Sequence, residues 1–412
     1  MASLDGKRAR IRSLLLVAFL ACAVILAGCG GGGSSSPEPG APILRDHVVV
    51  LPGDAEIASQ TDTSVTLTGN VPTLQPGYVI VSGVGQGLLR KVVSVQQNPT
   101  SVVVQTTQGT LEDVFQQANI HLSKTLSSSD IASVQPLAAG VTVRSRASGG
   151  RADVYTTELT LDDVALYGSK DAGITASGTI RLKELSIEFV ADLANGQLNY
   201  LRFVPTVTSE TEVTVKGTVT VASVSARLPI ALVYGAPIPL VVGGLPLVFV
   251  PMMTIYVGFD GQLEVGAELK VIGSVTAKAG LEYAGGQWHG VADLTTNVNL
   301  PTGFVPNPDA QVSATACLCG VDLSLILYAV AGPYCDVKLP YIESSWKFTA
   351  LPSPEYEVDL SFGVRATAGV HVEVLGRTIA EHELTGVLDS KTHFPGCPMT
   401  FPAAGNVNVI AN

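Results

Sequence analysis

The sequence predicts an all-β protein: a small N-terminal β-barrel or sandwich with one short helix, then a larger, long-stranded antiparallel β-sandwich or β-barrel-like domain. Three observations carry this. Apolar and polar residues alternate with period two over long runs. Glycine (42) and proline (24) punctuate the chain at short intervals. No long Ala/Glu/Lys/Leu/Arg stretch is present from which to build extended helices. Only 14% of the 412 residues are charged, which argues against a disordered or nucleic-acid-binding chain.

In chain order, Lys7, Arg8, Arg10 and Arg12 precede an uncharged run from Ser13 to Gly28 that includes Leu14, Leu15, Leu16, Phe19 and Leu26. A basic region followed by sixteen residues without charge reads as an export signal, too short to cross roughly 30 Å of hydrocarbon as a helix. The sequence Leu26-Ala27-Gly28-Cys29 resembles the lipobox of bacterial lipoproteins. The resemblance implies cleavage after residue 28 and acylation of Cys29, so that the protein is tethered to a membrane through fatty chains rather than spanning it. Gly30 stands where that family places an aspartate for inner-membrane retention, so the resemblance implies the outer membrane of a Gram-negative cell. Residues 29–42, with Gly30 to Gly33, Ser34 to Ser36 and Pro37-Glu38-Pro39, form a tether that is flexible and then stiffens. Loss of residues 1–28 leaves 20 Lys and Arg against 34 Asp and Glu, a net charge of −14. An acidic chain of this kind is repelled by nucleic acid and anionic lipid.

Residues 43–126 form the small β-domain. Val48–Leu51, Ser64–Leu67, Tyr78–Val81, Leu88–Val95 and Ser101–Thr106 are its strands, each closed by turn residues. A helix starts at Thr110, with Asp113 completing a capping box and Leu111, Val114, Phe115 and Ala118 giving one apolar face before Asn119. Residues 127–150 read as a linker containing at most one strand, 151–402 as the large antiparallel domain, and 403–412 as a C-terminal tail.

Within the large domain, Leu263, Val265, Ala267, Leu269, Val271, Val275, Ala277, Ala279, Leu281 and Tyr283 alternate with Glu264, Glu268, Lys270, Ser274, Thr276, Lys278 and Glu282. That pattern excludes a helix and predicts either one long strand or two joined at Gly273. Val358 to Val374 repeats it, with Gly369 as the candidate kink. Ile174, Ala176, Ile180 and Leu182 alternate on even positions and Leu185, Ile187 and Phe189 on odd ones, a phase slip that predicts a β-bulge near Lys183-Glu184. Asn195-Gly196 predicts a hairpin.

Exported thiols pair readily. Cys317, Cys319, Cys335 and Cys397 allow three disulfide connectivities, and the expected one joins Cys319 to Cys335 and Cys317 to Cys397. Cys317-Leu318-Cys319 also suits a soft metal, but no histidine nearby completes a site. No charge lies between Arg227 and Asp260. Five prolines in that stretch rule out a lipid-facing helix and favour buried strands. The alternative is an apolar binding surface of Tyr234, Ile238, Leu240, Leu245, Leu247, Phe249, Met252 and Met253 that meets lipid, a greasy ligand or a partner.

Motifs for chemistry are sparse. There is no Gly-x-Ser-x-Gly elbow and no His-x-x-x-His pair; Gly83-Val84-Gly85-Gln86-Gly87 leads into a strand rather than a helix, so it lacks the dipole of a phosphate loop. No cofactor, metal or catalytic residue is implied. The carboxylate pairs Asp162-Asp163, Glu184 with Glu188 and Glu381 with Glu383, and the tryptophans Trp288 and Trp346, leave a polysaccharide-acting hydrolase as a distant reading. His371 and His382 flank a hairpin candidate at Gly376-Arg377. The expected function is therefore a non-catalytic, outer-membrane-anchored binding or envelope scaffold, adhesion-like, with an unknown protein, glycan or lipid partner. A carrier or chaperone for an apolar ligand, using 228–259 as its wall, is the alternative.

Overall fold

A computed structural model describes residues 40–147, 155–219, 221–263, 268–299, 312–328, 332–349, 355–370 and 382–395. The signal, Cys29 and most of the tether, together with Cys397, His371, Glu381, Gly376-Arg377 and the C-terminal tail, lie outside them.

The N-terminal part carries β1 (Ile43–Leu44), β2 (Val48–Val50), β3 (Ala55–Gln60), β4 (Ser64–Gly69), β5 (Val79–Ser82), β6 (Leu88–Gln97) and β7 (Val102–Gln108). A one-turn helix α1 (Leu111–Val114) leads into β8 (Phe115–Thr125), β9 (Ile131–Pro136), β10 (Val141–Ala147), β11 (Tyr155–Gly168), β12 (Gly173–Ala194) and β13 (Gln197–Gly217). Then come β14 (Val221–Gly235), β15 (Ile238–Val242), β16 (Leu245–Leu263), β17 (Glu268–Ala284) and β18 (Gln287–Asn299). The chain continues through β19 (Val312–Leu327), β20 (Pro333–Thr349), β21 (Glu355–Val370) and β22 (His382–Pro395).

The fold is all-β. Two large sheets pack face to face: one in the order β1-β8-β12-β13-β17-β18, with β11 and β10 extending it beside β12, the other β22-β21-β20-β19-β16-β14-β9, with β15 beside β16. A six-stranded sheet, β2-β5-β6-β7-β4-β3, has its own core around Val65, Leu67, Ile80, Leu88 and Val104. Its β5 is buried on both faces, because Val79, Val81 and Leu89 join the core of the sandwich. Residues 43–126 therefore do not stand apart as a domain.

The local signals translate directly. In β12 the inward set passes from Ile180 and Leu182 to Leu185, Ile187 and Phe189, and the pairing with β13 slips between Leu182 and Glu184, leaving Lys183 as the extra residue of a bulge. Asn195 (φ 55°) and Gly196 (φ 68°) form the two-residue turn between β12 and β13, the positive-φ geometry that suits the twist of a hairpin. In β17, Val275, Ala277, Ala279, Leu281 and Tyr283 are buried while Thr276, Lys278 and Glu282 are half-exposed. Gly273 pairs on both sides without a break, so this is one strand, although Leu263 closes β16 and 264–267 are outside the described residues. β21 likewise runs through Gly369 to Val370.

Two expectations change. The Thr110–Asp113 capping box forms, with Thr110 Oγ1 accepting from the Asp113 amide at 3.2 Å and Asp113 Oδ2 accepting from the Thr110 amide at 3.1 Å. The helix, however, stops at Val114, and Phe115 turns extended. From there Ala118, Ile120 and Leu122 alternate inward as β8 pairs with β12, so the sheet overrides an apolar set that fits a helix equally well. The supposed linker 127–150 holds β9 and β10, which add to the second and first sheet respectively. Ser128–Asp130 form a single 3₁₀ turn, where Asp130 Oδ2 accepts from the Ser127 amide and hydroxyl.

Candidate functional site

The outer face of the second sheet carries a compact polar cluster built on a glycine. Tyr256 of β16 pairs with Gly320 of β19, and a Cβ on Gly320 would fall among the Tyr256 ring atoms; the ring lies flat on the bare backbone. Arg227 of β14 covers its other side, with Cζ 3.9 Å from the ring centroid. Tyr256 is fully buried, although it sits on the outward face. Its hydroxyl donates to Asp336 Oδ1 at 2.6 Å. Asp336 and Asp322 oppose each other across β19 and β20, a repulsive pairing that Arg227 offsets by reaching Asp336 at 3.3 Å and Asp322 at 3.4 Å. Burial first, then the neighbouring Cys317 and Asp336, push the Tyr256 hydroxyl far above the ordinary tyrosine range, against the opposing effect of Arg227.

A bulge makes this arrangement. Between Tyr256 and Gly258 one residue of β16 faces two of β19, so Leu318 and Cys319 both enter the core while Cys317 turns to the Tyr256 side. This register corrects the expected Cys319–Cys335 disulfide. Leu323 pairs with Cys335 and Gly320 with Lys338, which places the two cysteines four rungs apart, roughly 13 Å, well beyond disulfide reach. Cys317, Cys319 and Cys335 are free and buried, and Cys335 Sγ donates to the Ala279 carbonyl of the facing sheet at 3.2 Å. Burial drives all three thiols upward, Cys317 to about 12. In the native protein a thiol-alkylating reagent is expected to leave these three unmodified and to reach them only in denaturant; peptide mapping that finds any of them alkylated under native conditions would contradict the packing.

On the outer face of the first sheet, Arg202 of β13 bonds Glu282 of β17 at 2.8 Å and Glu188 of β12 at 3.1 Å. Tyr200 donates its hydroxyl to Glu282 at 2.9 Å, and burial followed by that carboxylate pushes Tyr200 up to about 12. Lys278 reaches Glu188 at 3.7 Å. Lys183 pairs with Glu210, and Arg181 with Glu158. Glu184 and Glu188 share this face four residues apart, roughly 13 Å along the backbone, and Glu188 is taken up by Arg202 and Lys278. Asp162-Asp163 forms a bulge against β12, where Asp163 accepts from Ser177 Oγ at 2.7 Å. Trp288 stacks against Tyr283 at the edge of the core, ring centroids 4.9 Å apart. Among the described residues no group of three or more His, Cys, Asp or Glu is placed to hold a metal ion.

The uncharged stretch becomes β14, the β15–β16 hairpin and the long arm of β16. Ile238, Leu245, Leu247, Phe249 and Met253 are buried, and Phe249 meets Phe189 of the facing sheet at 5.3 Å between centroids. Leu240 leans on the same core. Tyr234 and Met252 pair on the outer face, Tyr234 exposed and Met252 half-buried. The eight candidate surface residues thus divide into core and outer face rather than forming one patch. The Tyr256 cluster is hidden in the sequence, since what makes it is a pairing partner, Gly320, sixty-four residues away. No helix among the described residues is long and apolar enough to cross a membrane. Comparison of the chain with protein families, with curated proteins and with solved structures finds no match.

Proposed function

We propose that the protein is an outer-membrane-anchored lipoprotein that acts as a non-catalytic binding or scaffold element of the cell envelope. The observation that carries the reading is Leu26-Ala27-Gly28-Cys29 behind a basic and apolar leader and ahead of a Gly/Ser tether. Acyl chains on Cys29, at about 0.8 kcal/mol per buried CH₂, hold a protein on a membrane durably. Packing supports a scaffold over a carrier, because Leu245, Leu247 and Phe249 fill the space between the sheets. Cross-strand ion pairs on both outer faces, Arg202 with Glu188 and Glu282 on one and Arg227 with Asp336 on the other, suit a stiff, durable surface. Strand β12, with 22 residues, spans up to about 70 Å, enough to project binding surfaces well away from a tether.

The test is fractionation of expressing cells fed an alkynyl fatty acid. The wild-type chain is expected in the outer-membrane fraction with the label attached, and Cys29→Ser in the soluble fraction without it. A wild-type protein that is soluble and unlabelled would overturn the reading. Protease treatment of intact cells then separates a surface-facing from a periplasm-facing orientation.

A further inference from the structure

We infer that the tip of the β15–β16 hairpin, with the chain segment and loop beside it, is a bilayer-docking surface that sets the folded protein's orientation on its own membrane. The inference rests on the lipid-anchor reading and extends it. Three segments remote in sequence meet at this tip. Val241, the most exposed of the large hydrophobic side chains among the described residues at 68%, pairs with Pro246 across the hairpin. A Cβ on Gly83 would lie 2.7 Å from the Pro246 ring, which brings the Gly83–Gly87 loop and its Val84, 62% exposed, to the same place. A Cβ on Gly243 would lie 2.7 Å from Pro42, which brings in Ile43, 50% exposed.

All three segments, residues 40–44, 82–88 and 237–248, are free of ionisable side chains. The tip is also held in shape: Gly243 (φ 60°) and Gly244 (φ 84°) close the turn, and the buried Tyr328 donates its hydroxyl to the Pro246 carbonyl at 2.7 Å. Exposed valines and isoleucine gathered on a fixed, uncharged tip mark a contact surface.

The occupant follows from where the chain comes from. Pro42 is thirteen residues after Cys29, and a Gly/Ser-rich segment of that length has a root-mean-square span of roughly 20 Å. An acylated Cys29 therefore keeps this end of the fold, and not the other, against the lipid. A chain of net charge −14 after signal removal is repelled by anionic headgroups, and the uncharged tip is the end that approaches them with least repulsion. Apolar side chains there enter the headgroup region to the shallow depth of interfacial anchors.

The test uses the full lipidated protein in vesicles of phosphatidylethanolamine and phosphatidylglycerol. Val241→Cys is labelled with an environment-sensitive fluorophore in a Cys397→Ser background; Cys317, Cys319 and Cys335 are buried. Tyr167→Cys, exposed and at the opposite end of β12 roughly 65 Å away, is the control. The expected result is a blue shift and a several-fold rise in emission at position 241 on reconstitution, quenched by spin-labelled lipid, with position 167 unchanged. An aqueous spectrum at 241 while the protein co-sediments with vesicles overturns the proposal and leaves the anchor intact. Protein that carries no acyl mass and does not co-sediment overturns both. A blue shift that follows protein concentration without lipid assigns the tip to a second copy of the chain, and likewise overturns it.

Discussion

Folding stability is expected to fall as pH rises through 8.5, by about 4 kcal/mol between pH 7.5 and 9.5, and the fall comes from three buried cysteines. A cysteine in an unfolded chain ionises near 8.5. In the folded protein burial pushes Cys317 up to about 12 and drives Cys319 and Cys335 well above their ordinary range. Above pH 8.5 the unfolded chain thus releases protons that the native state keeps, and stability decreases as pH rises. The contribution is fully present below the unfolded value and is lost progressively toward the folded one. At pH 9.5 each thiol accounts for about 1.4 kcal/mol, so the three together remove a large part of a typical 5–15 kcal/mol. The buried Tyr256 and Tyr328, both pushed upward by burial, extend the decline above pH 10. Denaturant midpoints in reducing buffer at pH 7.5, 8.5 and 9.5 measure it. The triple variant Cys317→Ala, Cys319→Ala, Cys335→Ala starts less stable, since each change opens a small cavity, but its stability changes by under about 1 kcal/mol over the same range. Equal pH slopes for the two proteins would show that the thiols are not where the fold puts them.

Those cysteines also mark the boundary between what the residues reveal alone and what only pairing reveals. The bulge at Lys183 and the Asn195-Gly196 turn are legible because each is written in consecutive residues: a shift in alternation, and two residues that tolerate positive φ. The inward set of β17 is legible for the same reason. The partner of Cys335 is not, because it depends on the register between β19 and β20, which pairs Leu323 with Cys335 and which no local pattern announces. The helix beginning at Thr110 is half legible. Its cap is local, but its length is decided by pairing partners remote in sequence, β1 beside Phe115 and Gln117 and β12 beside Ala118 to Thr125. The segment 127–150 reads as a linker because of its serine-rich ends, yet β9 adds to the second sheet on only two core-leaning side chains, Ile131 and Val134. The docking tip joins three uncharged segments, each unremarkable alone, through contacts at Gly83 and Gly243.

Gly320→Ala is expected to destabilise the protein by about 2–3 kcal/mol, and the same substitution is expected to be neutral or mildly stabilising once Tyr256 is replaced by alanine. In the wild type a methyl group at position 320 occupies the space of the Tyr256 ring. The ring cannot yield, since Arg227 lies on its other face and Asp336 holds its hydroxyl. Tyr256→Ala alone costs about 3–5 kcal/mol, the usual range for deleting a buried aromatic ring, and it bares the Gly320 backbone. In that background the methyl group added by Gly320→Ala meets no ring, and it relieves the entropy cost of a glycine in mid-strand, about 0.5–1 kcal/mol. A double-mutant cycle should therefore return a coupling energy of about 3 kcal/mol between residues on adjacent strands. Tyr256→Phe separates ring from hydroxyl. It loses about 1 kcal/mol for the hydrogen bond to Asp336 but keeps the ring, so Gly320→Ala remains costly in it. Additive costs in the cycle would mean that Tyr256 does not rest on Gly320, and the Arg227–Tyr256–Asp336 cluster would lose its floor. A Gly320→Ala cost that survives in the phenylalanine background and vanishes in the alanine one would identify the glycine as the residue that lets a tyrosine seal the outer face of this sheet, with the buried Cys317 behind it.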